Sequence, residues 1–169
     1  MANTFELIAS STVGVLGAST IDFTSIPSTY TDLCLKVSLR GNQASNTNAY
    51  LISFNGSTTT FTTRRLYGNG ASAASDSSSA GDYGIANGAS TTASTFNNGE
   101  IYIPNYAGSA NKSFSVDEVV ENNGTTGFDV FTAGLWSTTS AINRVTLTAN
   151  GITLFSQYST AYLYGVKNA

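Results

Sequence analysis

The chain has 169 residues, enough for one domain with a real core, since a chain of about 150 residues buries roughly 70% of the surface it exposes unfolded. Only 10% of the residues are charged against 41% hydrophobic, so Ser, Thr, Asn and Gly must make most of the polar surface. Seven basic and ten acidic residues without a Lys/Arg run lack the electrostatic footprint of a nucleic-acid binder, and no stretch nears the ~20 apolar residues of a membrane helix.

The opening MANTFELIASSTVG has no basic region and carries Glu6 inside its short apolar run, so no secretory signal is expected and the first strand falls at Phe5–Ala9. Ser19–Phe23 follows. Thr31–Arg40 is the plainest strand: Leu33, Leu35, Val37 and Leu39 point one way, and Asp32, Cys34, Lys36, Ser38 and Arg40 the other. Cys34 is the single cysteine, which excludes an intramolecular disulfide framework and makes it a small strand residue. Ala49–Phe54 and Phe61–Tyr67 come next, and adjacent Arg64 and Arg65 must face opposite sides, where an ion pair is their expected use.

The segment from Gly68 to Asn97, GNGASAASDSSSAGDYGIANGASTTASTFN, is almost wholly small and polar. It predicts a long, loosely held loop at about 68–97 in which Tyr83 and Ile85 form a short strand or clamp and touch a neighbour. Strands resume at Glu100–Ile103 and Ser113–Val120. There the alternation slips near Asp117-Glu118, which predicts a β-bulge or strand end, with the acidic run to Asn123 as a solvated end rather than a calcium loop. Gly127–Ala133, Asn143–Thr148 and Ala161–Val166 complete the set. Trp136 is expected in the core, while Tyr158, Tyr162 and Tyr164 form a row on one face of the final segment, suited to an interface or a sugar platform. Of six Asn-Gly pairs, those at Asn123 and Asn150 are expected to join paired strands.

About ten short strands without helical periodicity predict an all-β domain over residues 1–169. Two packed antiparallel sheets, a jelly-roll-like sandwich, are expected, with an up-and-down barrel as the competing topology. The chain has no histidine, which removes the commonest general base and nucleophile partner. With the acids scattered, no enzyme activity, catalytic residue, cofactor or metal is expected.

The phrases DFTSIPSTYTDLCLKVSLR, YLISFNGSTTTFTTRRLYGNG, EIYIPNYAGSANKSFSVDEVVENN, AGLWSTTSAINRVTLTANG and STAYLYGV together resemble a β-rich module of virion structural proteins in tailed bacteriophages, notably marine phages and cyanophages. The resemblance spans nearly the whole chain and carries no catalytic motif. It implies a structural protein on the outer surface of the virion, assembled in the host cytoplasm. A capsid decoration (cement) protein bound to the major capsid protein, and to copies of itself as a homotrimer, is the leading expectation. Strand sequence near the start, without a heptad stalk or long anchor, favours it over a tail-fibre or receptor-binding component. A carbohydrate-binding module gripping a host surface glycan through Trp136 or the tyrosine row is the third reading. Neither nucleic acid nor membrane is an expected partner.

Overall fold

A computed structural model describes residues 4–79, 84–121, 123, 127–150 and 154–167. Twelve strands run through them: β1 (Phe5–Thr12), β2 (Thr20–Phe23), β3 (Asp32–Ser38), β4 (Thr47–Phe54), β5 (Phe61–Gly68), β6 (Ala73–Ser78), β7 (Gly84–Asn87), β8 (Asn98–Pro104), β9 (Lys112–Val120), β10 (Phe128–Trp136), β11 (Val145–Ala149) and β12 (Thr160–Val166). They form two antiparallel sheets, one of eight strands in the order β1-β12-β3-β8-β9-β10-β5-β6 and one of four in the order β2-β11-β4-β7. The expected sandwich of two packed sheets is present. Both sheets are open rather than closed into a barrel, and the layers are unequal, eight strands against four.

Alternation decides what lies between the layers. Leu33, Leu35 and Val37 of β3, Ile101 and Ile103 of β8, Phe114 and Val116 of β9 and Leu163 of β12 point inward and are buried. They meet Ile21 and Phe23 of β2, Val145 and Leu147 of β11 and Tyr50, Ile52 and Phe54 of β4. At one end Phe54 reaches across to an aromatic group from the larger sheet. Its ring lies 5.3 Å from Phe114 and 5.7 Å from Trp136, both edge-on, and Trp136 stacks on Phe61 at 6.1 Å. Edge-to-face geometry adds to the burial itself.

Three expectations are corrected. The segment 68–97 is not one loop: the short strand expected at Ile85 is present as β7, paired with β4, and a further strand that was not expected, β6, is paired along its length with β5. β6 is polar and exposed, so its sequence carries no burial pattern; backbone bonds and the Arg65–Asp76 ion pair hold it. Residues 88–97 also have a polar anchor. The Arg40 guanidinium donates to the carbonyls of Thr91 (3.2 Å), Thr92 (3.0 Å) and Thr95 (2.9 Å) and to the Thr91 hydroxyl (2.9 Å). Hydrogen bonding there does what apolar packing does elsewhere.

The second correction concerns β9, which has no bulge: Lys112, Phe114, Val116, Glu118 and Val120 all point inward, and Val119 is turned out with Ser113, Ser115 and Asp117. Reading Val119 as a core residue because it is apolar produced the apparent slip. The register shift in the larger sheet lies between Leu7 and Ala9 of β1. Third, the Asn-Gly pairs serve different turns. Asn123 lies between the paired β9 and β10, but β11 and β12 on either side of Asn150 belong to different sheets. The tight turns are at Asn55-Gly56, with φ of 53° and 75°, and at Asn69-Gly70, where the Asn69 side chain accepts from the Ala71 and Ser72 amides.

Candidate functional site

The smaller sheet covers one face of the larger and leaves the other open. Register places Leu7, Tyr164, Cys34, Tyr102, Ser115, Ala133, Arg64 and Ser77 in one row across all eight strands of that open face. The next row holds Ser10, Tyr162, Lys36, Glu100, Asp117, Phe131, Leu66 and Ser75. Its centre is charged, with Lys36 ion-paired to Glu100 and Asp117 next to it. Hydrogen bonding to Glu100 holds the Lys36 ammonium above its ordinary range.

Both flanks of the face are apolar. On one side Phe5 and Tyr164 pack edge-on at 6.3 Å beside Leu7 and Tyr162; on the other lie Leu66 and Phe131. Phe5, Leu7, Leu66, Val119, Phe131 and Tyr162 are exposed large apolar side chains, and all belong to this face. Eight strands about 4.8 Å apart and roughly 20 Å long give a face of about 800 Å², the share one partner contributes to a standard protein interface. Beneath it Cys34 is buried between Tyr164 and Tyr102, and burial, then Glu100, pushes its thiol up to about 11. It is an inert thiol.

The residues singled out from sequence separate. Tyr162 and Tyr164 stand on the open face of β12, but Tyr158 precedes the strand, in a turn with φ of 71°. Ile85 is 9% exposed and packs with Val120 and Val130 inside the chain, so it presents little to a neighbour; Tyr83 lies outside the described residues. Trp136 is 3% exposed and offers no ring face to a sugar. Arg64 and Arg65 do part to opposite faces, Arg65 donating to Asp76 through Nε (2.9 Å) and Nη2 (2.5 Å).

One residue was misjudged from sequence. Glu118, expected in a solvated strand end, is 0% exposed. Its carboxyl accepts from the Tyr50 hydroxyl, from the Ile85 amide at 2.5 Å and from Asn97 Nδ2 at 3.2 Å, and Asn97 also donates to the Ile85 carbonyl at 2.5 Å. Burial pushes Glu118 up to about 7 while those three donors pull it back; burial likewise holds Tyr50 well above its ordinary range. Two close approaches seal the group. A Cβ on Gly99 would lie 2.9 Å from Glu118 Oε1, and one on Gly84 would overlap the Tyr50 ring. Strict alternation along β9 is the signal that would have placed Glu118 inside. The knot is closed to solvent and holds sheets together; it is not an open acid–base site.

Among the described residues no three acidic or cysteine side chains gather as a metal-ligand cluster. Most carboxyls are engaged: Asp22 with Arg144 (2.8 Å) and Thr146 (2.6 Å), Asp32 with the Tyr102 hydroxyl (2.6 Å), Glu6 with Lys167 (2.8 Å). Compared with protein families, curated proteins and solved structures, the chain matches none.

Proposed function

We propose that the chain is a non-enzymatic structural protein of a phage particle, a capsid decoration protein that lies on the head shell by the open face of its eight-stranded sheet. The observation that carries this is the collection of Phe5, Leu7, Leu66, Val119, Phe131 and Tyr162 on one interface-sized face, around a compact charged centre. Large apolar side chains left exposed on one sheet face, here gathered at its two flanks, are the kind of surface that marks a contact site. On this reading the partners are the major capsid protein and further copies of the chain, grouped about local threefold points. A tail-fibre or carbohydrate-binding module would have to rely on Tyr162 and Tyr164, since Trp136 is sealed in the core.

Electron microscopy of particles labelled through this protein tests the location, and density confined to the tail would refute the shell reading. A Phe131→Asp, Tyr162→Asp double variant should keep its thermal melt and lose binding to undecorated heads. Retained binding would remove the open face from the proposal. Specific signal on a glycan array, abolished by Tyr162→Ala, would favour the carbohydrate reading instead.

A further inference from the structure

Four of the six Asn-Gly pairs lie wholly within the described residues, and the fold treats them differently. Such a pair can react with itself: the glycine amide nitrogen attacks the asparagine Cγ, closes a five-membered imide and expels ammonia. The absent Cβ lets the nitrogen approach. The rate then depends on whether the fold lets the two groups meet and steadies the charge that develops on Oδ1.

Three pairs are held back. Asn55 is tied to another segment at both ends of its side chain: Oδ1 accepts from the Asn143 (2.9 Å) and Arg144 (3.2 Å) amides, and Nδ2 donates to the Ala141 carbonyl (2.8 Å). Moving its Cγ onto the Gly56 nitrogen would tear those bonds. Asn87 is 0% exposed, its Nδ2 donates to the Thr95 hydroxyl at 2.8 Å, and the Gly88 amide that would attack it donates to the Asn46 carbonyl at 3.0 Å. Asn98 and Gly99 open β8, with Gly99 paired to β3 and β9 at once, so ring closure would disturb both ladders.

Asn69 differs on each count. It lies in the exposed turn between β5 and β6, and its Oδ1 accepts from the Ala71 amide (3.1 Å), the Ser72 amide (2.9 Å) and the Ser72 hydroxyl (3.3 Å). All three donors belong to the turn itself and can follow the side chain as it moves. They surround the oxygen on which negative charge grows during the attack, as in an oxyanion hole. Gly70 is at φ 81° with nothing within 4 Å of where a Cβ would stand, so the ring has room and solvent base can reach the amide.

We propose that Asn69 is a self-modification site, which converts to aspartate and isoaspartate while Asn55, Asn87 and Asn98 persist. Solvent base takes the Gly70 amide proton and the nitrogen bonds to Asn69 Cγ. The Cγ–Nδ2 bond breaks, and the nitrogen leaves as ammonia with a proton from water. A second water opens the imide. Opening at Cγ keeps the original main chain, whereas opening at the main-chain carbonyl carries the chain through the side chain and adds one carbon to the turn. Either product places a carboxylate beside a hollow of about 270 Å³ whose lining already holds Glu121 and Asp129. The second also lengthens the turn that sets Gly68 opposite Ala73. β6, with β5 as its one strand neighbour, is thereby loosened as the protein ages. The change rests on this turn alone and is independent of the shell reading.

Peptide mass spectrometry of the folded chain, sampled over weeks in mildly alkaline buffer, tests it. Fragmentation of the tryptic peptide from Leu66 to Lys112, which holds Asn69, Asn87 and Asn98, and of the peptide that holds Asn55 gives four rates from one sample. Asn69 should convert at least about tenfold faster than each of the others, and the contrast should collapse in urea. Amide exchange in β6 should quicken in the converted fraction and in Asn69→Asp, with melting unchanged. Conversion of any of the other three as fast as Asn69 would show that the fold does not select it, and a contrast that survives unfolding would show that sequence alone does. Either result overturns the assignment, and unaltered exchange in β6 would overturn the loosening.

Discussion

Glu118 sets a pH dependence opposite in sign to ordinary acid denaturation. Its folded pKa, raised to about 7 from an ordinary 4.5, means that folding favours the protonated form. The stability linked to it is fully present below about pH 4.5 and is lost as pH rises through about 7, by about 3 kcal/mol in all. Asp22 and Asp76 act the other way. Hydrogen bonds from Arg144 and Arg65 hold them below their ordinary value, so their contribution is lost as pH falls through the low carboxylate range. Urea unfolding should therefore find greatest stability on the acid side of neutrality, and Glu118→Gln should flatten the slope between pH 5 and 8. A variant as pH-sensitive as the unaltered chain would show that another group carries the effect. Glu118 was hidden in the sequence because a charged side chain is seldom fully buried without a partner, and its partners Tyr50, Ile85 and Asn97 come from distant parts of the chain.

At the scale of elements, the two polar edges behave differently. The outward groups of β7 are all engaged: Glu118 and Asn97 take the Ile85 amide and carbonyl, and the Gly41 amide takes the Asn87 carbonyl at 2.7 Å. Side chains thus stand in for a neighbouring strand and close that edge to another chain. β6 is instead a polar, exposed strand at the end of its sheet, with β5 as its one strand neighbour. Excision of residues 69–79 with a short linker should leave a folded domain, whereas excision of 84–97 should unfold it, because Glu118 would lose two of its three donors. Circular dichroism melts of the two deletions separate these outcomes. Arg40→Ala should cost about 2 kcal/mol, in the range for hydrogen bonds to a charged donor, with accelerated amide exchange concentrated in 88–97. Arg40→Lys should recover only part, since an ammonium lacks the planar fork that reaches several carbonyls at once. Strands such as β3 and β8 were legible because Leu33, Leu35, Ile101 and Ile103 alternate with polar neighbours. β6 was not, since AASDSS has no large apolar residue to set a period, and nothing local in 88–97 points to an arginine some fifty residues earlier.

For the molecule as a whole, the aromatic group around Phe54 joins the layers, because Phe54 comes from the smaller sheet and Phe61, Phe114 and Trp136 from the larger. Phe54→Ala should cost about 3–5 kcal/mol. The change is readable through Trp136, the sole tryptophan, whose emission should be blue-shifted when folded and move red at a lower urea concentration in the variant. An unchanged midpoint would mean that the layers are held elsewhere. The open face was only half visible in sequence. Tyr162 and Tyr164 stand out by their spacing, but Leu66 and Phe131 look like core residues until register shows which way they point.

The position of β12 bears on how the chain reaches this state. It lies between β1 and β3, so during synthesis β1 has no place to dock until β12 has been made, and Lys167 then meets Glu6 across 161 residues of chain. Until that moment the edge of β3 is bare and Leu163 is missing from the core. Closure by so distant a pairing makes folding slow, on the millisecond-to-second scale of non-local β proteins. A nascent chain stalled before Thr160 therefore exposes two unpaired strand edges, and those edges are where it would first join another chain.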